Sequence, residues 1–260
     1  MLTTGINNTF KIRLITVELT VLAVFYYVIA WVLLPQTLES NLAFYSFVGL
    51  LSAAILYYLY ISPTLHQDSH EARGIGSARK LFIRTDNFFT AWKLLFIPML
   101  FIASLIILAS WHKNTHFFAN PDWDGFFIKF ILYLASAFMQ DILFFSYVLV
   151  RLKDLVTIKS EQYKKTLVVI IFAVLFATVH MPNLPLVTVT FIFALWLGYV
   201  FYTVANLYAI VIVHAILGTL LHRVYELHMK IGILYGTDPQ QVHFTRFLIP
   251  AVNELIGNRW

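Results

Sequence analysis

The 260 residues contain no cysteine, which excludes disulfides and thiolate chemistry and leaves the redox compartment unreadable. Charge is also scarce. Asp, Glu, Lys and Arg together make up 12% of the chain, against roughly 25% in a soluble domain. No HExxH motif occurs, so the common zinc-protease geometry is absent. There is no internal repeat and no low-complexity segment. The opening MLTTGINNTFKIRL lacks a small-residue cleavage site after a short apolar core, so the first apolar run reads as a retained helix and not as a signal peptide. What the chain does have is apolar: 60% hydrophobic residues and a mean hydropathy of +0.78. This composition predicts an all-α, polytopic transmembrane helix bundle. The net charge of +5 sits in loops and does not argue for nucleic acid.

Seven apolar runs approach the ~20 residues that a ~30 Å hydrocarbon core requires. They cover about 14–34, 42–61, 92–111, 126–152, 166–180, 186–204 and 207–221. Eight is the alternative count, because the C-terminal tail carries Arg223, Lys230, Arg246 and Arg259, which seven spans would place outside. Lys11 and Arg13 precede the first run. Arg73, Arg79, Lys80 and Arg84 follow the second, and Arg151, Lys153, Lys159, Lys164 and Lys165 follow the fourth. By the positive-inside rule the N-terminus and those two loops face the cytoplasm, with the cell membrane as the expected location. The chain divides into N-terminal helices and a cytoplasmic loop (1–124), a core carrying the polar residues (125–222), and a tail (223–260) in which LIPAVNELIG could lie at the interface.

Three ionisable residues stand inside or at the end of these runs: Asp141, His180 and His214. A charged side chain at the bilayer centre costs ~2.5–3.5 kcal/mol on the insertion scale, so such residues usually face a bundle interior and mark a site. Asp141 lies about ten residues before Arg151, roughly 15 Å along a helix, and therefore at depth. His214 is mid-span between Val213 and Ala215. His180 closes a run just before the helix-breaking MPNLP; alone, it reads more readily as a helix-end residue. Gln140, beside Asp141, adds a donor and an acceptor about 100° round the helix. Glu18, in the first run, is expected near the interface close to Arg13.

These segments, in this order, resemble the CPBP (Abi) family of intramembrane proteases, which includes the type II CAAX prenyl endopeptidases. The family carries Glu-Glu-x-x-x-Arg, then Phe-x-x-x-His, then His-x-x-x-Asn. Here FMQDILFFSYVLVRL places Gln140 and Asp141 at the two Glu positions and Phe145 at the Arg. LFATVHMPN supplies Phe176 and His180 in full. NLYAIVIVHAILG supplies His214, with Gly218 in place of Asn. The resemblance covers about 125–222. It implies that the first-motif carboxylate and His180 activate a water for attack on a peptide carbonyl, while His214 helps to stabilise the oxyanion. Because Gln140 cannot accept a proton as a carboxylate does, the base would be Asp141 or His180. Thr219, Asn183 and Asn206 are the candidate replacements for the missing Asn donor. The site residues expected are thus Asp141, His180, His214 and Gln140.

The leading expectation is an endopeptidase acting on a membrane-associated or lipid-modified peptide or protein within the bilayer, with no nucleic-acid partner and no required cofactor. Three alternatives stand beside it. One is a catalytically impaired relative that binds a hydrophobic peptide or partner, favoured by the altered first motif but opposed by the retained histidine pair. Another is a divalent metal held by Asp141, His180 and His214, since two imidazoles and a carboxylate form a plausible first-row set. The last is a transporter, disfavoured by a single deep carboxylate and by the lack of matched broken helices.

Overall fold

In the computed structural model the described residues are 8–28 and 82–229, together with the isolated positions Gly49, Ala53, Leu56, Tyr57 and Ile61. The expected second span at 42–61 falls mostly outside them, as do the loop that follows it and the tail from 230 onward. The architecture is all-α, with no strand among the described residues. Its elements are α1 (Asn8–Val28), α2 (Phe88–Lys113), the short α3 (His116–Ala119) and α4 (Trp123–Asp141). A π-helical segment (Ile142–Leu149) and α5 (Val150–Leu155) continue α4 without a break. Then come α6 (Glu161–Thr178), α7 (Leu184–Thr203), α8 (Leu207–Thr219) and a final π-helical turn (Leu220–Val224).

Four helices are long and apolar enough to cross a membrane, Phe88–Lys113, Trp123–Leu155, Leu184–Thr203 and Leu207–Val224. The chain is an integral membrane protein, and the expected count of seven is not reached among the described residues. The first expected span, 14–34, runs past residue 28, where the described part of α1 ends, and the fifth, 166–180, falls mostly within the 18-residue α6, whose first turns carry Glu161, Lys164 and Lys165.

Short polar side chains set the helix starts. Asp122, Asn183 and Asn206 each accept a hydrogen bond from the backbone N–H three residues on, at 2.9, 3.2 and 3.0 Å, satisfying donors that have no partner within the helix. Pro185, near the start of α7, falls where its missing N–H costs nothing. At the end of α2, Asn114 adopts the left-handed conformation (φ 53°) and its N–H returns to the last carbonyls.

α6 packs along α7, and α8 packs along α4 and α2. The core they enclose is aromatic at its centre. Phe145, with no exposed surface, meets the rings of Phe172, Phe201 and Phe176 at centroid distances of 4.8, 5.5 and 6.1 Å. The outward faces remain apolar, as with Ile97, Phe101 and Leu108 on α2, which suits side chains that meet acyl chains and not water.

Glu18 is 3% exposed and accepts hydrogen bonds from the hydroxyls of Tyr57 (2.9 Å) and Tyr147 (2.5 Å). Burial of a carboxylate requires donors, and two tyrosines supply them. One of these, Tyr147, lies on the π-helical segment, so α1 is tied directly to the continuation of α4.

Candidate active site

Asp141 is the last residue of α4, where the chain passes from α-helical to π-helical turns. Such wider turns are rare and frequently accompany functional sites. Asp141 has no exposed surface, and His214 is mostly buried at 15% side-chain exposure. Asp141 Oδ1 and His214 Nδ1 are 2.9 Å apart. An ionised carboxylate can only accept, so His214 donates through Nδ1–H and its Nε2 is left as the free ring nitrogen. Asp141 Oδ2 is buried and has no hydrogen-bond partner. One carboxylate oxygen therefore fixes the imidazole while the other keeps its lone pairs for a molecule entering the site.

His180 lies in the turn after α6. Its Nδ1 donates to the Phe176 carbonyl across 2.9 Å, which likewise leaves Nε2 free. The Phe176 ring joins the two histidines, with centroids 5.5 Å from His180 and 6.0 Å from His214. The fully matched Phe-x-x-x-His motif thus acts twice: its carbonyl orients one imidazole and its ring packs against both. α1 reaches the same turn, since the Tyr26 hydroxyl donates to the Val179 carbonyl.

Of the four residues expected from sequence, Asp141 and His214 are in direct contact, and His180 shares Phe176 with His214. Gln140 is half-buried beside Asp141 and has no hydrogen-bond partner among the described residues. At the position of the family's Arg, Phe145 is packed into the aromatic core, so no cation stands there to balance a second carboxylate. Among the described residues no group of three His, Cys, Asp or Glu side chains is gathered closely enough to hold a metal ion, so the alternative Asp141–His180–His214 metal set is not assembled.

The three candidate replacement donors separate cleanly. Asn206 is spent: its amide donates to the Arg84 carbonyl and to Asn87 Oδ1, both at 2.7 Å, while its oxygen caps α8. Asn183 is spent as well, donating to the His228 carbonyl at 2.6 Å and capping α7. Only Thr219 keeps a buried hydroxyl without a partner. Sequence reasoning missed Tyr26 and Tyr133, both aromatic residues in apolar helices with no spacing that sets them apart from core residues. Tyr133 lies against Gly218, where an added Cβ would come within 2.5 Å of its ring.

Residues 122–220 match the family model for type II CAAX prenyl endopeptidase, Rce1-like. That segment runs from the cap of α4 through the end of α8 and contains Asp141, His180 and His214, and it bears out the resemblance carried by the motifs. No curated protein and no solved structure matches the chain.

Proposed function

We propose that this chain, similar over residues 122–220 to the type II CAAX prenyl endopeptidases, is an intramembrane endopeptidase that hydrolyses a peptide bond of a membrane-associated, lipid-modified substrate. The observation that carries the reading is the Asp141–His214 pair, buried beside a second imidazole whose Nδ1 is also occupied.

Water activation needs a base within hydrogen-bond reach of the water. The Asp141 carboxylate orients His214 and stabilises the imidazolium that forms when Nε2 takes a proton, the role an acidic partner plays for a catalytic histidine. His180, backed by a neutral carbonyl, presents Nε2 as a second acceptor that can hold the same water. The hydroxide equivalent adds to the peptide carbonyl carbon, and the proton taken by His214 passes to the departing amine as the C–N bond breaks. This assigns the base to His214 acting with Asp141, whereas the motif resemblance alone assigns it to the first-motif carboxylate or His180. The Phe176 ring packs against both imidazoles, and the low polarity it brings strengthens each charge-stabilising contact.

The test is a cleavage assay in proteoliposomes with a farnesyl-cysteine peptide and its unlipidated counterpart, following products by mass spectrometry. Cleavage of the lipidated peptide by wild type, lost in His214→Ala with the fold intact, is the expected result. Equal cleavage by both proteins would remove the mechanism.

The second reading, a relative that binds a hydrophobic peptide without cutting it, draws on Gln140 and Gly218, both departures from the family motifs. It expects the farnesyl-cysteine peptide to bind wild type and to be recovered uncut.

A further inference from the structure

The contact between Gly218 and Tyr133 carries an inference of its own, which rests on the peptidase reading above. Gly218 lies four residues after His214, one turn further along the same face of α8. It is buried. A Cβ at this position would stand 2.5 Å from Tyr133 Cε1, 3.0 Å from Cδ1 and 3.2 Å from Cζ. The Tyr133 ring therefore fills the volume that any side chain at 218 would need. Tyr133 belongs to α4, where Tyr133, Ala137 and Asp141 follow one another at intervals of four and share a helix face. Ala137 is buried between them. Asp141 meets His214 and Tyr133 meets Gly218, so the two helices run in opposite directions along one shared seam. That seam carries the dyad and, one turn of α8 away, the tyrosine.

The phenol has no hydrogen-bond partner among the described residues. The residue is only part-buried, so the hydroxyl stays reachable from outside the core. The His222 ring lies near it, with centroids 6.5 Å apart, and the buried Nδ1 of His222 has no hydrogen-bond partner among the described residues. Tyr133 thus presents an uncommitted O–H donor at Gly218, one turn of α8 from His214 and two turns of α4 from Asp141, while Asn183 and Asn206 are engaged elsewhere and Thr219 keeps a free hydroxyl.

We propose that Tyr133 is a further substrate-facing residue of this site, whose phenol O–H donates to the peptide carbonyl oxygen as it becomes the tetrahedral oxyanion, and that the bare Cα of Gly218 is what admits its ring. The phenol keeps its proton throughout; it contributes a hydrogen bond and no covalent step. A donor aimed at developing charge affects the chemical step more than substrate binding.

Tyr133→Phe keeps the ring and removes only the hydroxyl. On the farnesyl-cysteine peptide in proteoliposomes, kcat is expected to fall by ~10²–10³-fold, as for the loss of one oxyanion donor, with KM and thermal stability close to wild type. Gly218→Ala displaces the ring and is expected to lower kcat as well. In Tyr133→Phe/Gly218→Ala the two losses should be less than additive, because both remove the same hydrogen bond. Wild-type cleavage with an unchanged kcat in Tyr133→Phe would overturn the proposal and leave the peptidase reading intact. A fall in kcat accompanied by an equal rise in KM and a lower melting temperature would overturn it too, since that pattern marks a packing role. If wild type cuts no peptide, the peptidase reading fails and the proposal falls with it.

Discussion

Asp141 and His214 meet at 2.9 Å from the end of α4 and the middle of α8, and the second oxygen of the carboxylate, Oδ2, is buried without a partner. The pair is positioned asymmetrically for use. One contact fixes the tautomer and tilt of the imidazole, and the remaining acceptor is free for an incoming water or substrate N–H. Asp141→Asn keeps the shape but offers an amide where His214 needs an acceptor, which favours the wrong tautomer. The expected loss in kcat is ~10⁴-fold, by analogy with the loss of the acidic partner in a Ser-His-Asp triad. Kinetics on folded variant protein would check it, and retention of more than about a tenth of the wild-type rate would argue that His214 does not act through Asp141.

His180 engages the Phe176 carbonyl through Nδ1, so only Nε2 can work on a ligand. Gln places its terminal amide near the position of Nε2, and Asn places its amide near Nδ1. The expectation is that His180→Gln retains more activity than His180→Asn, with both ~10²–10⁴-fold below wild type if a positioned acid–base group is lost. The reverse order in steady-state rates would contradict the assignment of Nε2 as the working nitrogen.

Phe145 occupies the family's Arg position and is fully enclosed by Phe172, Phe176 and Phe201. Restoring the motif with Phe145→Arg should damage the protein. It removes the ring packing, worth ~3–5 kcal/mol for a large-to-small change at an aromatic core site, and buries a cation with no second carboxylate beside it. A melting temperature well below wild type in detergent is expected; an unchanged one would mean that the aromatic core tolerates the charge.

Asn206 has no exposed surface and ties the start of α8 to Arg84 and Asn87, while the Leu207 N–H donates to the Phe82 carbonyl at 2.9 Å. Asn206→Ala removes the cap and leaves buried acceptors unpaired, which should cost ~1–3 kcal/mol of stability. Because α8 carries His214, activity is expected to fall alongside stability, and Asn206→Asp, which retains the capping oxygen, should recover part of it. Thermal unfolding of both variants would decide the matter; equal damage from Asp and Ala would place the weight on the Asn87 and Arg84 bonds and not on the cap.

The sequence by itself determined the class of the protein and the identity of its polar centre. A chain this apolar must satisfy its backbone hydrogen bonds internally, so long apolar runs read as helices. Costly ionisable residues such as Asp141 and His214 stood out against those runs for the same reason. The turn at MPNLP and the caps at Asn183 and Asn206 were also local, because proline and short polar side chains act on their own neighbourhood. The tertiary structure alone decided what each polar group does. The partner of His214 lies 73 residues away, and Glu18 finds Tyr147 across 129; nothing in either local segment specifies those pairings. Asn206 resembled a spare donor until its amide was seen to be spent. Tyr133 resembled one more core aromatic until α4 and α8 were packed together and its ring filled the space that Gly218 leaves open. Periodicity records which face of a helix is apolar, but which side chains meet across that face follows from how the helices pack, and that is a property of the assembled bundle.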